Sequence, residues 1–380
     1  MKIAIISTYF GTDIGGAEVS TGLLVNGLKA KNEVHIIHLN NQLKWLPLSL
    51  KAFLLNTNLL DGHIERSIFK RLKCIAPDIV HIQDLMIAPA AVKATKRLNL
   101  KTIITVRDLR FVCNLPVCQN RGELYHNCNK QQYLKCLKKE AKDQFNLPVL
   151  AYLLRPLICK RSKELRTALS YADKLIAISQ FVKSELEKEN IKTKTEVIYN
   201  PMPDWKWRKP KPHKGSILFA PGRLEKYKGF HLLIKALKLA LEKRKDIILQ
   251  IAGTGSYEKQ LKRLTKKLKL NNNVQFLGKL SQEEIKERYF DCDIVMFPSI
   301  WLEPLGRVPL EAMAARKPII ASDKGGIPEI VNKRNLMDFN QPSLLQNKLK
   351  NTKNIHFNQK LTLSRFIQTI NKTYLAILGQ

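Results

Sequence analysis

Ten short runs of β-branched and aliphatic residues, separated by longer stretches with helical spacing, constrain the fold of this chain more than any other feature. Strands without polar interruptions fit a parallel sheet that is covered by helices on both faces. The intervening stretches supply those helices; Val19, Leu24 and Leu28, for example, recur at helical spacing. The runs are 2–7, 34–39, 79–82, 102–106 and 175–178, then 217–220, 247–252, 274–277, 294–297 and 319–322.

The alternation breaks once, between Asn200 and Gly215, where four prolines exclude a helix or a central strand. A chain of 380 residues also exceeds what one hydrophobic core usually covers. We therefore predict an α/β protein of two doubly wound, Rossmann-like domains, at residues 1–200 and 201–360. Residues 361–380 are expected to form a C-terminal helix that packs back on the N-terminal domain.

The formal net charge of +33 is spread over both halves, with 31 basic against 17 acidic residues in 1–200 and 34 against 15 in 201–380. Such a field attracts nucleic acid, an anionic membrane surface or phosphate-bearing substrates. The apolar run that ends before Ser7 is too short for a signal peptide, and no run reaches the length of a membrane span. The expected location is the reducing cytoplasm.

A segment rich in functional residue types follows the run at 294–297. Pro309 is tolerated only in the first turn of a helix, so a helix is predicted to begin near Gly306 or Arg307. The amides of Leu305, Gly306 and Arg307 would then form an anion site without a metal. Glu303 precedes this helix end and Glu311 lies about one turn inside the helix. Considered alone, the two acids could simply stabilise the helix through its dipole.

In each half of the chain, a glycine-containing turn follows the first strand. Gly222 lets the backbone approach a ligand, Arg223 can fork onto a diphosphate, and Lys228 adds a point charge. A solvated basic loop is the alternative. Near the N-terminus, Gly15 and Gly16 lie in a turn that could cradle a phosphate, although a tight strand-to-helix turn needs glycine anyway. The full G-x-G-x-x-G fingerprint is missing, which argues against a dinucleotide enzyme.

Taken together these motifs resemble those of the family 4 retaining glycosyltransferases over residues 1–330. The matching segments are Gly-Gly-Ala-Glu at 15–18, 172–179, 197–201, Gly222-Arg223 with Lys228-Gly229, Gly-Thr-Gly at 253–255, the pair Glu303 and Glu311, and Gly-Gly-Ile-Pro-Glu at 325–329.

The resemblance implies a GT-B fold, in which the two domains face each other across a cleft and the C-terminal domain holds a nucleoside-diphosphate sugar. Arg223 and Lys228 would hold the diphosphate, and Glu311 the ribose hydroxyls. Glu303 would position the sugar with the amides of Leu305 and Gly306, beside Arg307. Gly15 and Gly16 would close over the phosphates. The implied enzyme is a hexosyltransferase that needs no cofactor or metal, retains the anomeric configuration and uses Glu303, Arg223 and Lys228 for catalysis.

The chain departs from the family's pattern after the strand at 102–106, where Arg107-Asp108 replaces a frequent His-Asp. Arginine is no base near neutral pH. Arg107 could anchor a phosphate or the acceptor, the acceptor could be used differently, or activity could be weakened. His81, at the end of another strand, is either an acceptor-side residue or a satisfied core histidine.

Cysteine spacing gives little support for a metal site, because the chain has no Cys-x-x-Cys pair. The clustered cysteines could have a metal or redox role or be reduced thiols near the acceptor side, whereas the remaining three are expected to be buried. The cluster is Cys113, Cys118, Cys128 and Cys136, and the others are Cys74, Cys159 and Cys292.

Basic amphipathic stretches at 42–55 and 147–163 suggest peripheral contact with an anionic membrane at its inner face, unless they are core-packing helices. With the positive field, they favour a lipid-linked saccharide or a glycan of cell-surface polysaccharide synthesis as acceptor. One rival function is a sugar-nucleotide 2-epimerase of the same architecture. The other is a nucleic-acid-binding protein, for which no signature is present.

Overall fold

The computed structural model describes residues 1–8, 15–38, 59–113, 126, 131, 155–352 and 359–379. The chain divides into two compact units. The N-terminal unit comprises Met1–Asn200 and Ser364–Gln380, and the C-terminal unit comprises Pro201–Leu363. The segments at 42–55 and 147–154, like Cys118, Cys128 and Cys136, lie outside the described residues. None of the helices in the described ranges is long and apolar enough to cross a membrane.

The N-terminal unit contains strands β1 (Lys2–Ser7), β2 (Glu33–His38), β3 (Ile79–Ile82), β4 (Lys101–Val106), β5 (Lys174–Ala177) and β6 (Thr195–Val197). Its helices are α1 (Gly16–Lys29), α2 (Asp61–Ile75), α3 (Ala88–Arg97), α4 (Arg155–Tyr171) and α5 (Gln180–Lys188), with a 3-10 turn at Leu85–Ile87. The strands form one parallel sheet in the order β2-β1-β3-β4-β5-β6. The central strands β1, β3 and β4 are buried over nearly their whole length, as unbroken apolar runs require.

The C-terminal unit contains strands β7 (Ser216–Pro221), β8 (Ile247–Ala252), β9 (Val274–Gly278), β10 (Ile294–Phe297), β11 (Ile319–Ser322) and β12 (Leu336–Met337). Its helices are α6 (Phe230–Ala240), α7 (Glu258–Lys267), α8 (Gln282–Asp291), α9 (Arg307–Ala314) and α10 (Leu344–Asn351). Four 3-10 turns lie at Lys226–Lys228, Ile327–Glu329, Lys333–Asn335 and Gln359–Leu361. The parallel sheet has the order β12-β11-β10-β7-β8-β9.

The strand order of the C-terminal unit reverses between β7 and β10. The chain runs outward from β7 through β8 to β9, then returns to place β10 on the other side of β7. The two strands are hydrogen-bonded neighbours, with Leu218 opposite Ile294 and Phe219 opposite Val295. The crevice outside the carboxyl ends of such a pair is where open α/β sheets bind ligands. The segments that follow β7 and β10 therefore meet at this edge of the sheet.

The last helix, α11 (Leu363–Leu378), belongs almost entirely to the N-terminal unit. Its buried face includes Ile370 and Tyr374. Asn371 accepts a hydrogen bond from Asn32 at 3.3 Å, and Thr373 donates to Glu196 at 3.1 Å. The C-terminus thus packs on the first sheet of the chain, although 163 residues of the second unit, Pro201–Leu363, precede it.

The prediction of two Rossmann-like α/β domains is confirmed. All ten predicted strands are present, each within one residue at either end. Two strands were missed, β6 and β12, which have only three and two residues. Cys292 is buried as predicted, whereas the prediction for Cys74 is wrong because its side chain is exposed.

Candidate functional site

The turn after β7 places the two predicted basic residues at the sheet edge. Gly222 follows the strand directly, Arg223 is exposed, and Lys228 ends a 3-10 turn and is half-buried. Gly229, the N-cap residue that precedes α6, has a φ of 73°, and a Cβ there would lie 1.9 Å from the carbonyl oxygen of Pro298. Only glycine allows this approach, which brings the β7 turn against the segment that follows β10.

Glu303 lies in that second segment and points its carboxylate at Lys228. The Lys228 ammonium contacts Oε1 of Glu303, and the Ser299 hydroxyl donates to the same oxygen at 3.0 Å. The backbone of Glu303 is fixed by Gly326, whose amide donates to its carbonyl at 2.8 Å. A Cβ on Gly325 would lie 2.2 Å from that carbonyl oxygen. Glu303 is buried, and its carboxylate is held at the sheet edge by two donors, Lys228 and Ser299.

Helix α9 begins at Arg307, where the position of Pro309 predicted it, and Pro309 is its third residue. Gly306 precedes the helix with a φ of 83°, a conformation that favours glycine. Among the described residues, no group accepts a hydrogen bond from the amide of Leu305 or Gly306. These two amides lie two and three residues after Glu303, and the positive end of the helix dipole follows them at Arg307.

Glu311 is held from both sides within the C-terminal unit. The Tyr289 hydroxyl donates to Oε2 at 2.8 Å, and Nε of Arg307 donates to Oε1 at 3.3 Å. Burial raises the pKa of Tyr289 well above its usual range, and the charge of Glu311 adds to the rise. Tyr289 therefore stays a hydrogen-bond donor. Each carboxylate oxygen keeps a further lone pair, so Glu311 can still accept from ligand hydroxyls.

His81 has a different environment from the one that an acceptor-side residue requires. Its side chain is fully buried, with Nδ1 2.6 Å from the Tyr374 hydroxyl and Nε2 2.7 Å from the Thr105 hydroxyl. Burial, with the charge of Arg107, lowers the pKa of His81 to about 3, so the ring is neutral. Neither ring nitrogen remains for an acceptor. This environment is that of a satisfied core histidine, one of the two alternatives that the sequence left open for His81.

Arg107 and Asp108 are engaged by their own unit. The Arg107 guanidinium donates to the side chains of Gln83 and Asn200, while Asp108 accepts from the Arg110 amide at 3.0 Å. Gly15 and Gly16 are exposed at the start of α1. The preceding glycine turn at 11–14 lies outside the described residues. The acceptor-side assignments of Arg107 and Asp108 stay predictions.

Two family models match the chain along most of its length. The model described as Glycosyltransferase Family 4 matches residues 14–206, just over half of the chain, and the model described as Glycosyl transferases group 1 matches residues 201–357. The chain belongs to glycosyltransferase family 4. The second match contains the β7 turn and the segment from Glu303 to Glu311.

Known proteins resemble this family member in sequence and in fold. An uncharacterised glycosyltransferase of Methanocaldococcus jannaschii is 33% identical over 270 residues, which are 67% of this chain and 60% of the relative. An uncharacterised 42.6 kDa protein in the cps region of Klebsiella pneumoniae is 26% identical over 87% of both chains. The chain spans about three fifths of the length of several curated relatives that it matches. The solved complex of Anabaena HepE with UDP-glucose has a TM-score of 0.68 at 19% identity, covering 99% of this chain and 100% of HepE.

Four neighbours of the candidate site residues were missed by sequence reasoning. Ser299 and Tyr289 donate to the two glutamates, and Tyr227 and Trp301 surround Lys228. Ser299, Tyr227 and Trp301 lie within the motif segments, which could have drawn attention to them. Tyr289 gave no such signal, because it precedes β10 and reaches Glu311 only through the fold. Among the described residues, no cluster of three or more His, Cys, Asp or Glu side chains could hold a metal ion.

Proposed function

We propose that this glycosyltransferase moves a sugar from a nucleoside-diphosphate sugar to a hydroxyl group of an acceptor. One observation carries the proposal: Lys228 after β7 and Glu303 after β10 contact each other at the edge where the strand order reverses. That edge combines positive charge for a diphosphate with carboxylates for hydroxyl groups. A sugar nucleotide carries both kinds of group.

The proposed roles follow from the position of each group. Arg223 and Lys228 bind the diphosphate and stabilise the charge that develops on it as the sugar leaves. The amides of Leu305 and Gly306 bind anionic oxygens at the start of α9. Glu303 and Glu311 accept hydrogen bonds from the sugar and the ribose, respectively. Gly15 and Gly16 are proposed to contact the phosphates from the N-terminal unit.

We also propose that transfer needs no metal and retains the anomeric configuration. Two basic side chains and two amides at one sheet edge supply the positive charge that a divalent cation would otherwise provide. Retention rests on the match of the Glu303 and Glu311 motif to that of retaining family members. Turnover that is abolished by EDTA and restored by Mg²⁺ would contradict metal independence. Proton NMR of the product's anomeric centre tests retention.

Donor binding gives the first test of this function. UDP-, GDP- and ADP-sugars are screened by thermal shift, since a ligand that binds only the native state raises the melting temperature. HepE binds UDP-glucose, which makes UDP-sugars the first to try. We expect Glu311→Gln to weaken the best ligand about tenfold or more, because a charged hydrogen-bond acceptor is lost. The exposed Glu283→Gln on α8 is the control and should leave binding unchanged.

The rival functions give different results in the same assays. Rapid epimerisation of the donor without any acceptor would favour the 2-epimerase. Tight, sequence-selective DNA binding without sugar-nucleotide turnover would favour the nucleic-acid-binding protein. Equal nucleotide affinity of the wild type and Glu311→Gln would contradict the assigned ribose contact.

We further propose that the N-terminal unit contacts an anionic membrane at the inner face of the cell membrane, where a lipid-linked saccharide would be the acceptor. Helices α2, α3 and α4 pack in a row, and their outward residues form a cationic face. The three acids on these helices are each paired with a cation, and Leu59 and Tyr171 add exposed apolar surface. The cationic face consists of Arg66, Lys70, Lys73, Lys93, Lys96, Arg97, Lys160 and Lys163.

Vesicle sedimentation tests this contact. The wild type should sediment with phosphatidylglycerol-rich vesicles and not with phosphatidylcholine alone, and added salt should release it. The triple variant Lys70→Glu, Lys93→Glu and Lys163→Glu should bind at least about tenfold more weakly, at roughly 1 kcal/mol per basic residue. The same charge change on α7, at Lys259, Arg263 and Lys266, is the matched control. Equal loss in both variants would show that net charge alone drives binding.

A further inference from the structure

The ammonium group of Lys228 lies among three aromatic rings whose role the proposed function leaves unassigned. Its Nζ is 4.7 Å from the ring centroid of Trp301, 5.6 Å from that of Tyr227 and 5.9 Å from that of Phe297. All three distances lie within the range of a cation–π interaction. Glu303 is the ion-pair partner of the same ammonium group. Lys228 therefore has one carboxylate and three ring systems around it.

The fold fixes Trp301 in this arrangement through the turn that carries Lys228. The amides of Ile300 and Trp301 both donate to the carbonyl oxygen of Tyr227, at 2.9 and 3.2 Å. The rings of Tyr227 and Trp301 pack edge to face, with centroids 5.6 Å apart. The segment after β10 is thus fixed to the turn after β7 both by backbone hydrogen bonds and by ring packing. Any shift of Trp301 is transmitted to the residue next to Lys228.

The indole N–H of Trp301 takes no part in this packing. It is buried, and no described residue accepts a hydrogen bond from it. A buried donor without a partner costs free energy. The contact between Trp301 and Lys228 is instead made by the ring face, whose centroid is the nearest of the three to the ammonium group.

Lys228 needs contacts other than its ion pair, because its partner Glu303 is also proposed to bind the sugar. Its ammonium sits on a flexible four-carbon stem, so one contact leaves it many positions. In the proposed function Glu303 also binds sugar hydroxyls, which compete with Lys228 for its oxygens. The negative faces of the aromatic rings remain in place whatever Glu303 binds.

We propose that Trp301 is a positioning residue for sugar transfer, whose ring face, with Tyr227, keeps the Lys228 ammonium beside Glu303 while the donor reacts. The inference rests on the proposed function, because it takes from there the roles of Lys228 and Glu303. It assigns to Trp301 an effect on turnover that acts through Lys228. It also requires that any flat aromatic ring of suitable size can replace the indole.

Two replacements of Trp301 separate the ring from the rest of the side chain. Trp301→Met removes the ring and keeps a large apolar group, and Trp301→Phe keeps a ring without the N–H. With the sugar nucleotide that gives the largest thermal shift, we expect kcat of Trp301→Met to fall about tenfold while the donor KM changes less than about twofold. Trp301→Phe should recover most of kcat and melt no lower than the wild type.

Trp207→Met is the matched control, because Trp207 is exposed and has the Arg316 guanidinium 5.4 Å from its ring. It loses a cation–π contact at the other end of α9 and should keep full turnover. If Trp301→Met does not fold, Tyr227→Met provides the same test. Loss of kcat in Trp301→Phe equal to that in Trp301→Met overturns the inference, as does a loss confined to KM.

The two proposals fail in different ways. Normal turnover in Trp301→Met and Tyr227→Met, with an inactive Lys228→Met, overturns only the positioning role of the rings. A wild-type protein that turns over no sugar nucleotide, or a fully active Lys228→Met variant, overturns the proposed function and the inference with it.

Discussion

Lys228→Met is expected to lower kcat for sugar transfer at least about 100-fold. Removing one preorganised group that stabilises a developing negative charge typically lowers kcat about 10²–10³-fold. Glu303→Gln should have an effect of similar size, because it removes the carboxylate that Lys228 and Ser299 hold at the sheet edge. Steady-state kinetics with the best donor measure both. Lys226→Met, two residues earlier on the exposed side of the same turn, should change kcat less than about twofold.

Each single replacement also leaves a charge without its partner. The side chains of Lys228 and Glu303 are only 14% and 6% exposed, so either variant is expected to melt below the wild type. The double variant Lys228→Met/Glu303→Gln removes both charges and should recover stability without recovering turnover. A double variant as active as the wild type would contradict the catalytic assignment. Full activity in Lys228→Met with a lowered melting temperature would reduce the pair to a structural role.

Asp61→Asn is expected to lower the free energy of unfolding of the N-terminal unit by about 3–5 kcal/mol, because it removes one partner of a buried ion pair. The Arg161 side chain is 1% exposed and donates to Asp61, to the carbonyl of Met86 and to Glu164. It thereby joins α4 to α2 and to the 3-10 turn that precedes α3. Burial raises the pKa of Asp61, and the Arg161 charge opposes that rise. The variant removes the buried negative charge opposite the guanidinium and leaves Glu164, at 3.4 Å, as the carboxylate that pairs with it.

Amide hydrogen exchange of β3 and α3 measures this loss in the N-terminal unit alone. Asp61→Leu/Arg161→Met, which replaces both charges by apolar groups, should restore most of the stability. Lys101→Ala is the control: its pair with Asp173 has a lysine that is 53% exposed, so the loss should stay under about 1 kcal/mol. A loss in Asp61→Asn no larger than in Lys101→Ala would contradict the role of the buried pair.

Local signals predicted the elements that carry the candidate site. The β7 and β10 strands were visible as apolar runs, and Pro309 placed the start of α9, because proline restricts the backbone in a way that neighbouring residues cannot override. Strands β6 and β12 were invisible, since three and two residues are too few for a periodic pattern. The role of His81 was open from the sequence, because a histidine at a strand end fits either a ligand site or a core.

The sequence by itself determined two α/β units, the strands in them and the position of Arg223, Lys228, Glu303 and Glu311 just after strands or in the following helix. These features depend on residue spacing over a few turns or one strand, which local sterics and burial control. Only the tertiary structure decided that Lys228 meets Glu303 across 75 residues and that His81 bonds Tyr374 across 293. Strand order brings such residues together, and it is set by packing over the whole sheet. Strand order also brings Trp301, in the segment after β10, to Lys228 in the turn after β7, a contact that neither motif segment reveals by itself.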